Sequence, residues 1–154
     1  MKDVEFIAQV DEVKEQLFRI ACLYLGSESA GMDAVDEAVY RAYRARHGLR
    51  QPEYFRTWLT RILINECKKE LRRRGREITV EQLPEQMQEE LDHLPLKEAV
   101  AALPDELRLV VILRYFAGLT QAETAKQLDI PQGTVATRQR RALQLLRLEL
   151  QEDA

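Results

Sequence analysis

Apolar residues recur at three- and four-residue intervals along most of the chain, the spacing that places side chains on one face of an α-helix. The first run extends from about Val4 to Leu25. Its apolar positions are Phe6, Val10, Val13, Leu17, Ile20 and Tyr24. The segments from Asp33 to about Arg46 and from Glu53 to about Arg74 follow the same pattern, and GSESAG between the first two runs is predicted to be a loop. Period-two alternation is nowhere sustained, so we predict an all-α fold.

Local signals in the C-terminal third predict two helices joined by a short turn. Thr120 followed three residues later by Glu123 forms a capping box, which predicts a helix beginning at Gln121. The segment LDIP breaks that helix, and Pro131 suits the first position of the next one. This spacing is typical of a helix-turn-helix, although a plain helical hairpin has similar spacing. The composition of the second helix must therefore distinguish the two.

The face of this second helix that is turned away from the core carries only positive charge. At ~100° per residue, Val135, Ala142, Leu143 and Leu146 fall on one arc, with Gln139 among them. Four arginines and no acid lie between Gln132 and Arg147. Arginine forks match guanine edges and phosphates, so DNA reading is favoured over a solvated scaffold face. The predicted DNA contacts here are Gln132, Thr134, Ala136, Thr137, Arg138, Arg140, Arg141 and Gln144.

Charge is distributed unevenly along a chain whose net charge is −3. Lys68 to Arg76 holds six basic residues and one acidic residue, a net charge of +5. Glu77 to Glu98 holds seven acidic residues and one lysine, a net charge of −6. The arginine-rich helix returns to +4. The net charge of −3 argues against a nonspecific DNA coat, which needs a large positive net charge. The chain instead carries two basic surfaces separated by an acidic connector.

Several classes of protein are not supported by the sequence. The start MKDVEFIAQVDEV lacks the apolar core of a signal peptide, and no apolar run approaches the ~20 residues that span a membrane. Cys22 and Cys67 are isolated and only two histidines are present, so we predict no metal site and no cofactor. No carboxylate cluster accompanies the basic segments, and no Ser/His/Asp or Cys/His set is within reach. We therefore expect a cytoplasmic binding protein that is not an enzyme and does not insert into a membrane.

Both halves of the chain resemble an extracytoplasmic-function sigma factor, a small two-domain initiation subunit of bacterial RNA polymerase. The segment LKEAVAALPDELRLVVILRYFAGLTQAETAKQLDIPQGTVATRQRRAL resembles region 4 of that family nearly end to end. DAVDEAVYRAYR resembles region 2.2, and FRTWLTRILINECKKELRRR resembles regions 2.3 and 2.4. The resemblance implies region 2 over residues 1–76, a flexible acidic linker over 77–93, and region 4 with its helix-turn-helix over 94–154. The chain departs from the family pattern at Asp36, Ala136 and Gln139, where Gln, Lys and an apolar residue are usual.

The resemblance also implies partners. Asp33, Asp36, Glu37 and Arg41 would dock on the clamp helices of the largest subunit of core RNA polymerase. Region 4 would sit on the flap of the second subunit and read the minus-thirty-five element of promoter DNA through its last helix. The loop from Arg46 to Pro52 would capture a flipped base of the minus-ten element. An anti-sigma factor is a further partner that the family allows.

The third helix and its basic end would hold the minus-ten strand. Tyr54 lies off the apolar arc and offers a stacking surface, whereas the spacing of Trp58 with Phe55 favours core packing over base stacking. Asn65 either bonds a base or faces solvent, and the lysines and arginines that follow either bind phosphate or form a solvated helix end. The predicted DNA contacts of this region are Arg46, Tyr54, Arg56, Arg61, Asn65, Lys68, Lys69, Arg72 and Arg73.

Two questions stay open at this point. A dimeric helix-turn-helix repressor or activator is the alternative function, and the mass of the protein in solution would distinguish it because readers of palindromic sites are dimers. The acidic connector either folds back onto the basic surfaces and masks them, or serves solubility or tracks a positively charged channel on the polymerase.

Overall fold

The computed structural model describes residues 1–74 and 99–152, with side chains as far as residue 147. The first bundle contains α1 (Asp3–Leu25), α2 (Glu28–Arg44) and α3 (Phe55–Arg74), with 3₁₀ turns Arg46–Gly48 and Pro52–Tyr54 between α2 and α3. The second bundle contains α4 (Asp105–Val111), a π-helical turn (Ile112–Phe116), α5 (Gln121–Leu128) and α6 (Gln132–Glu152). Across these two ranges no strand is formed, which confirms the all-α prediction. The acidic connector and the start of the predicted region 4, residues 94–98, lie outside the described residues.

The first bundle is built around the apolar stripe predicted for α1. Phe6 contacts Phe55 edge to face with ring centroids 5.7 Å apart, and Leu17, Leu59 and Leu63 are fully buried. Helix α1 ends at Gly26, whose φ of 71° is the left-handed conformation that glycine adopts without a steric penalty. The three helices therefore close over one continuous core that fixes α2 beside α3.

The loop predicted over GSESAG is wrong, because α2 begins inside it. The Ser27 side chain caps the helix by accepting from the Ala30 backbone N–H at 3.2 Å, so the helix starts at Glu28. Gly31 is buried within this helix and does not form a turn. A Cβ atom at Gly31 would lie 2.5 Å from Sγ of Cys22, so glycine is required there for close packing of α2 on α1.

The second bundle has the predicted helix-turn-helix at its centre. Thr120 Oγ1 accepts from the Glu123 backbone N–H at 3.0 Å, and the Thr120 N–H donates to the Glu123 carboxylate at 2.9 Å, which confirms the capping box. This hydrogen bonding lowers the pKa of the Glu123 carboxyl. Asp129, with φ of 56°, ends α5. Helix α6 then packs Val135, Ala142 and Leu146 into the bundle.

The two bundles pack against each other. Leu109, Ile112 and Leu113 of the second bundle belong to the same buried cluster as the core of the first. The Gln16 side chain of α1 donates to the Ala117 carbonyl at 3.2 Å. Apolar burial and a directed hydrogen bond together give the described parts of the two bundles a defined relative arrangement.

Arg108 anchors this contact from within the interface. Its side chain is buried and donates to the Leu103 carbonyl at 2.9 Å and to the Asp105 carboxylate at 3.1 Å. The guanidinium lies 5.1 Å from the ring centroid of Tyr24. Burial raises the pKa of the Tyr24 phenol to about 12, so Tyr24 stays neutral beneath the arginine at ordinary pH.

Candidate nucleic-acid interface

A basic groove runs between α2 and α3. It encloses about 670 Å³. The groove is lined by Glu37, Tyr40, Arg41, Arg44, Ala45, Ile62, Asn65, Glu66, Lys68, Lys69 and Arg72. Four residues predicted to contact DNA, namely Asn65, Lys68, Lys69 and Arg72, are exposed here along one side of α3. The dense run of positive charge therefore faces a concave surface, and α2 forms its opposite wall.

Glu66 is the carboxylate on the α3 wall of the basic groove, and the sequence analysis did not single it out. Its side chain is only 10% exposed. The carboxylate oxygen lies 2.8 Å from Arg41 Nε in an ion pair and accepts a hydrogen bond from Lys69 Nζ at 3.3 Å. Arg41 Nε also lies 3.0 Å from the Glu37 carboxylate. One carboxylate thus joins an arginine of α2 to a lysine of α3.

The acidic face of α2 is open to solvent. Asp33, Asp36 and Glu37, which the family resemblance assigns to polymerase binding, are all exposed. Arg41, the fourth residue of that set, is half-exposed and forms the ion pairs described above. The acidic face is therefore available for docking, and Arg41 connects it to the basic groove.

Arg46 is also predicted to contact the DNA strand, but its surroundings differ from those of the other residues in that set. Its guanidinium lies 4.0 Å from the ring centroid of Tyr43 and 3.4 Å from the Asp3 carboxylate. It also donates to the carbonyls of Tyr43 and Met1 at 2.8 and 3.3 Å. These contacts fasten the start of α1 to the end of α2, so Arg46 has a structural role in this arrangement.

Helix α5 covers the beginning of α3. The ring of Tyr54 lies 4.7 Å from Lys126 Nζ, so a cation occupies one face of the predicted stacking surface. Arg61 donates to the Lys126 carbonyl at 2.6 Å, and the Gln127 side chain donates to the Thr57 carbonyl at 2.9 Å. Two of the predicted strand contacts, Tyr54 and Arg61, are therefore engaged by the second bundle.

The remaining predicted residues of α3 fall into two environments. Arg56 is exposed beside a cleft that α5 completes with Glu123 and Lys126. Arg73 pairs with Glu70 at 2.6 Å, on a part of α3 that does not line the basic groove. Trp58 is half-buried with its ring centroid 6.0 Å from that of Phe55, which matches the predicted core packing.

The outer face of α6 presents most of the residues predicted to read DNA. Gln132, Thr137, Arg140, Arg141 and Gln144 are exposed. Thr134 and Ala136 are half-buried, and Arg138 forms an ion pair with Glu106 at 3.5 Å. The prediction that Leu143 lies in the core is wrong, since it is 39% exposed. At ~100° per residue Leu143 lies about 80° round the helix from Val135, outside the narrow buried arc.

Gln139 is the polar residue that connects α6 to the rest of the second bundle. Its side-chain oxygen accepts from Arg114 Nε at 2.9 Å and from Gln121 Nε2 at 3.1 Å. Its side-chain nitrogen donates to the Tyr115 hydroxyl at 3.0 Å. Arg114 also donates to the Leu119 carbonyl. A glutamine at a position expected to be apolar therefore makes three side-chain hydrogen bonds, two of them with Arg114 and Tyr115 of the π-helical turn.

A second cleft lies between the two bundles, and one end of each basic surface borders it. Lys68 and Arg72 of α3 line it from one side and Arg138 of α6 from the other, around a volume of about 670 Å³. Asp105 and Glu106 line the same cleft. In this arrangement the basic end of α3 and Arg138 of α6 face a shared space.

Both cysteines lie away from these surfaces. Cys22 and Cys67 are free and buried in the core of the first bundle. Burial raises the pKa of the Cys22 thiol to about 12 and raises that of Cys67 as well. Among the described residues, no group of three or more His, Cys, Asp or Glu is arranged to hold a metal ion, and no helix is long and apolar enough to cross a membrane.

Both bundles match models of known protein families. The family model for sigma-70 region 2 matches residues 10–77, and that for sigma-70 region 4 matches residues 99–148. The chain is 28% identical to the RNA polymerase sigma factor SigV of Bacillus subtilis (strain 168), over 94% of this chain and 90% of the relative. It is 32% identical to the RNA polymerase sigma-H factor of Pseudomonas aeruginosa, over 77% and 72%. It is 30% identical to the ECF RNA polymerase sigma-E factor of Haemophilus influenzae, over 77% and 74%.

Two solved structures share the fold of the two bundles. The sigma factor RpoE in complex with the anti-sigma factor NepR from Bartonella quintana superimposes with a TM-score of 0.75 at 22% identity, covering 97% of this chain and 99% of that one. CnrH in complex with the cytosolic domain of CnrY superimposes with a TM-score of 0.76 at 22% identity, covering 99% and 92%.

Proposed function

The chain belongs to the extracytoplasmic-function RNA polymerase sigma factors and directs transcription initiation, and from that premise we propose how its surfaces divide the task. The first bundle binds core polymerase and the minus-ten element, and the second bundle reads the minus-thirty-five element. The observation that carries this division is the pair of separate basic surfaces, one in the groove between α2 and α3 and one on α6. The protein acts by binding alone, in the cytoplasm. A dimeric helix-turn-helix repressor or activator is not favoured.

The basic groove receives the minus-ten strand in this proposal. Lys68, Lys69 and Arg72 supply positive charge along one wall, and phosphate neutralisation is the main source of affinity for a single strand. Asn65 is exposed on the same side of α3 and has both a donor and an acceptor to offer a base. Tyr54, at the N-terminal end of α3, supplies a stacking surface once α5 has moved away.

Helix α6 enters the major groove of the minus-thirty-five element. Arg140 and Arg141 are exposed in its first half and Gln144 follows one turn later, so all three can reach base edges or phosphates. Thr134 and Ala136 are small, which lets the N-terminal turn approach the duplex closely. The hydrogen bonds of Gln139 fix the orientation of α6 about its own axis, so that these residues face outward.

The bundle contact described above belongs to the protein without its partners. Because α5 contacts Tyr54 and Arg61, full use of these two residues by a DNA strand requires the second bundle to move away from the first. Core polymerase would favour the separated state, since its binding sites for regions 2 and 4 lie on different subunits. The domain boundaries at 76 and 93 and an anti-sigma partner are parts of the same proposal. The anti-sigma partner is supported by the structural neighbour RpoE, which was solved in complex with the anti-sigma factor NepR.

Charge reversal on α2 tests the docking assignment. Replacing Asp33 and Glu37 together by lysine should weaken binding to core polymerase, because charges at the rim of an interface set encounter and register. The matched control is Asp11→Lys with Glu15→Lys, an exposed acidic pair with the same four-residue spacing on α1. Binding is measured by titrating labelled protein with purified core polymerase. If the α2 variant binds as well as the parent and the α1 variant, the acidic face of α2 is not the docking site.

A further inference from the structure

Four charged residues of alternating sign cross from α2 to α3 through shared atoms. Arg41 Nε lies 3.0 Å from Glu37 and 2.8 Å from Glu66, and the same Glu66 oxygen accepts from Lys69 at 3.3 Å. Glu37, at one end of this series of charges, lies on the face of α2 that is proposed to bind polymerase. Lys69, at the other end, lies on the wall of the groove that is proposed to bind the DNA strand. Glu66 is the member with the least exposure to solvent.

We infer that Glu66 is a positioning residue that couples polymerase docking to strand binding. The inference rests on the proposed function, because it needs Glu37 to contact polymerase and Lys69 to contact phosphate. In the free protein Glu66 holds Lys69. When polymerase occupies Glu37, Glu66 is neutralised by Arg41 and Lys69 is released to the DNA.

The direction of the coupling follows from how the charges are shared. A carboxylate that is 10% exposed must be neutralised by its neighbours, because little water reaches it. In the free protein Arg41 is divided between Glu37 and Glu66, so Lys69 is needed as the second counter-charge. When a positively charged group of the polymerase pairs with Glu37, Arg41 pairs with Glu66 alone. The attraction between Glu66 and Lys69 then weakens, and a phosphate competes for the lysine on better terms.

A comparison of free protein and holoenzyme tests this with one reporter substitution. Lys69→Ala is introduced into the parent, and binding of a labelled single-stranded oligonucleotide of mixed sequence is measured between 50 and 200 mM salt. One phosphate contact on a single strand contributes ~0.7 to the salt slope, roughly a threefold change in affinity across this range. Lys69→Ala should reduce the slope by that amount in the parent holoenzyme and leave it almost unchanged in the free parent.

Two further variants should make Lys69 available without polymerase. Glu66→Gln removes the carboxylate that holds it, and Glu37→Gln imitates the neutralisation that polymerase provides while leaving Glu66 intact. In either background, Lys69→Ala should reduce the salt slope of the free protein by the same amount as it does in the parent holoenzyme. The second background keeps the test valid if loss of Glu66 disturbs the fold.

Glu70→Gln is the matched control, because it removes the same charge one turn further along α3. Glu70 pairs with Arg73 and Arg74 and does not line the basic groove. The effect of Lys69→Ala should be the same with Glu70→Gln as in the parent. An equal effect of Lys69→Ala in the free parent and its holoenzyme would overturn the coupling alone. Failure of the parent to form a holoenzyme would overturn the proposed function together with it.

Discussion

Gln127 connects α5 to α3, and replacing it by alanine should loosen the contact that places Lys126 on the ring of Tyr54. The side chain is 6% exposed and donates to the Thr57 carbonyl across the two bundles at 2.9 Å. Alanine has the higher helix propensity, so α5 itself should persist. The Thr57 carbonyl keeps its hydrogen bond within α3, so no buried acceptor is left unpaired. The substitution therefore removes one link between the bundles and little else.

The size of the effect follows from the value of one hydrogen bond. A typical intramolecular hydrogen bond contributes about 1 kcal/mol net, with a range of about 0.5–1.5. A loss of about 1 kcal/mol shifts the equilibrium between packed and separated bundles about fivefold. The apparent affinity of a site that is open only part of the time scales with the open fraction. Free Gln127→Ala protein should therefore bind a single strand about fivefold more tightly than the parent.

Fluorescence anisotropy with a labelled single-stranded oligonucleotide measures this directly, in free protein and in holoenzyme. The holoenzyme should show no gain, because its bundles are already apart. Gln16→Ala removes a different side-chain hydrogen bond between the bundles, the one from Gln16 to the Ala117 carbonyl, and should act in the same direction. Gln9→Ala is the control, since Gln9 makes neither of these bonds. Unchanged affinity for both interface variants would show that bundle packing does not limit DNA binding. An equal gain in the holoenzyme would mean that the substitution creates a contact with DNA.

Three further predictions concern α6 and the core. Alanine at a base-reading arginine, Arg140 or Arg141, should cost ~1–3 kcal/mol and relax preference at one promoter position, whereas loss of a phosphate contact should weaken all sites alike in binding titrations. Gln139→Leu, the type of residue usual in the family, should lower the free energy of unfolding by about 1–2 kcal/mol in urea denaturation, because it removes hydrogen bonds that include one to a charged donor. Alkylation of Cys22 and Cys67 at pH 8 should require unfolding. Because both folded thiol pKa values are raised, stability should be fully present below the unfolded thiol pKa of about 8.5 and decrease as pH rises above it.

The parts of the fold that could be predicted are those determined by residues close together in the sequence. The capping box at Thr120 depends on residues three positions apart, and the apolar stripe of α1 depends on a period of 3.6. Both appear in the sequence without knowledge of any partner element. The start of α2 was missed because Gly31 is usually a loop signal, and here it is required by the approach of Cys22 from another helix. That requirement exists only after α1 and α2 have packed.

The candidate site was predictable as a set of residues but not as a set of contacts. The basic residues of α3 and α6 are evident from composition and spacing. Their ion-pair and hydrogen-bond partners depend on which helices become neighbours, so neither Glu66 nor the role of Gln139 could be inferred from a single helix. The contact of Lys126 with Tyr54 depends on the packing of two separate bundles and has no signal in local sequence.

The central claim is that this chain gives core polymerase its choice of promoter through two separate surfaces. In vitro run-off transcription with core polymerase and a random promoter library tests it most directly. We expect the protein to produce discrete transcripts from a subset of templates, enriched in two separated elements. Preference in the upstream element should change with Arg140→Ala or Arg141→Ala, and preference in the downstream element should not. A transcript pattern identical to that of core polymerase alone would contradict the claim.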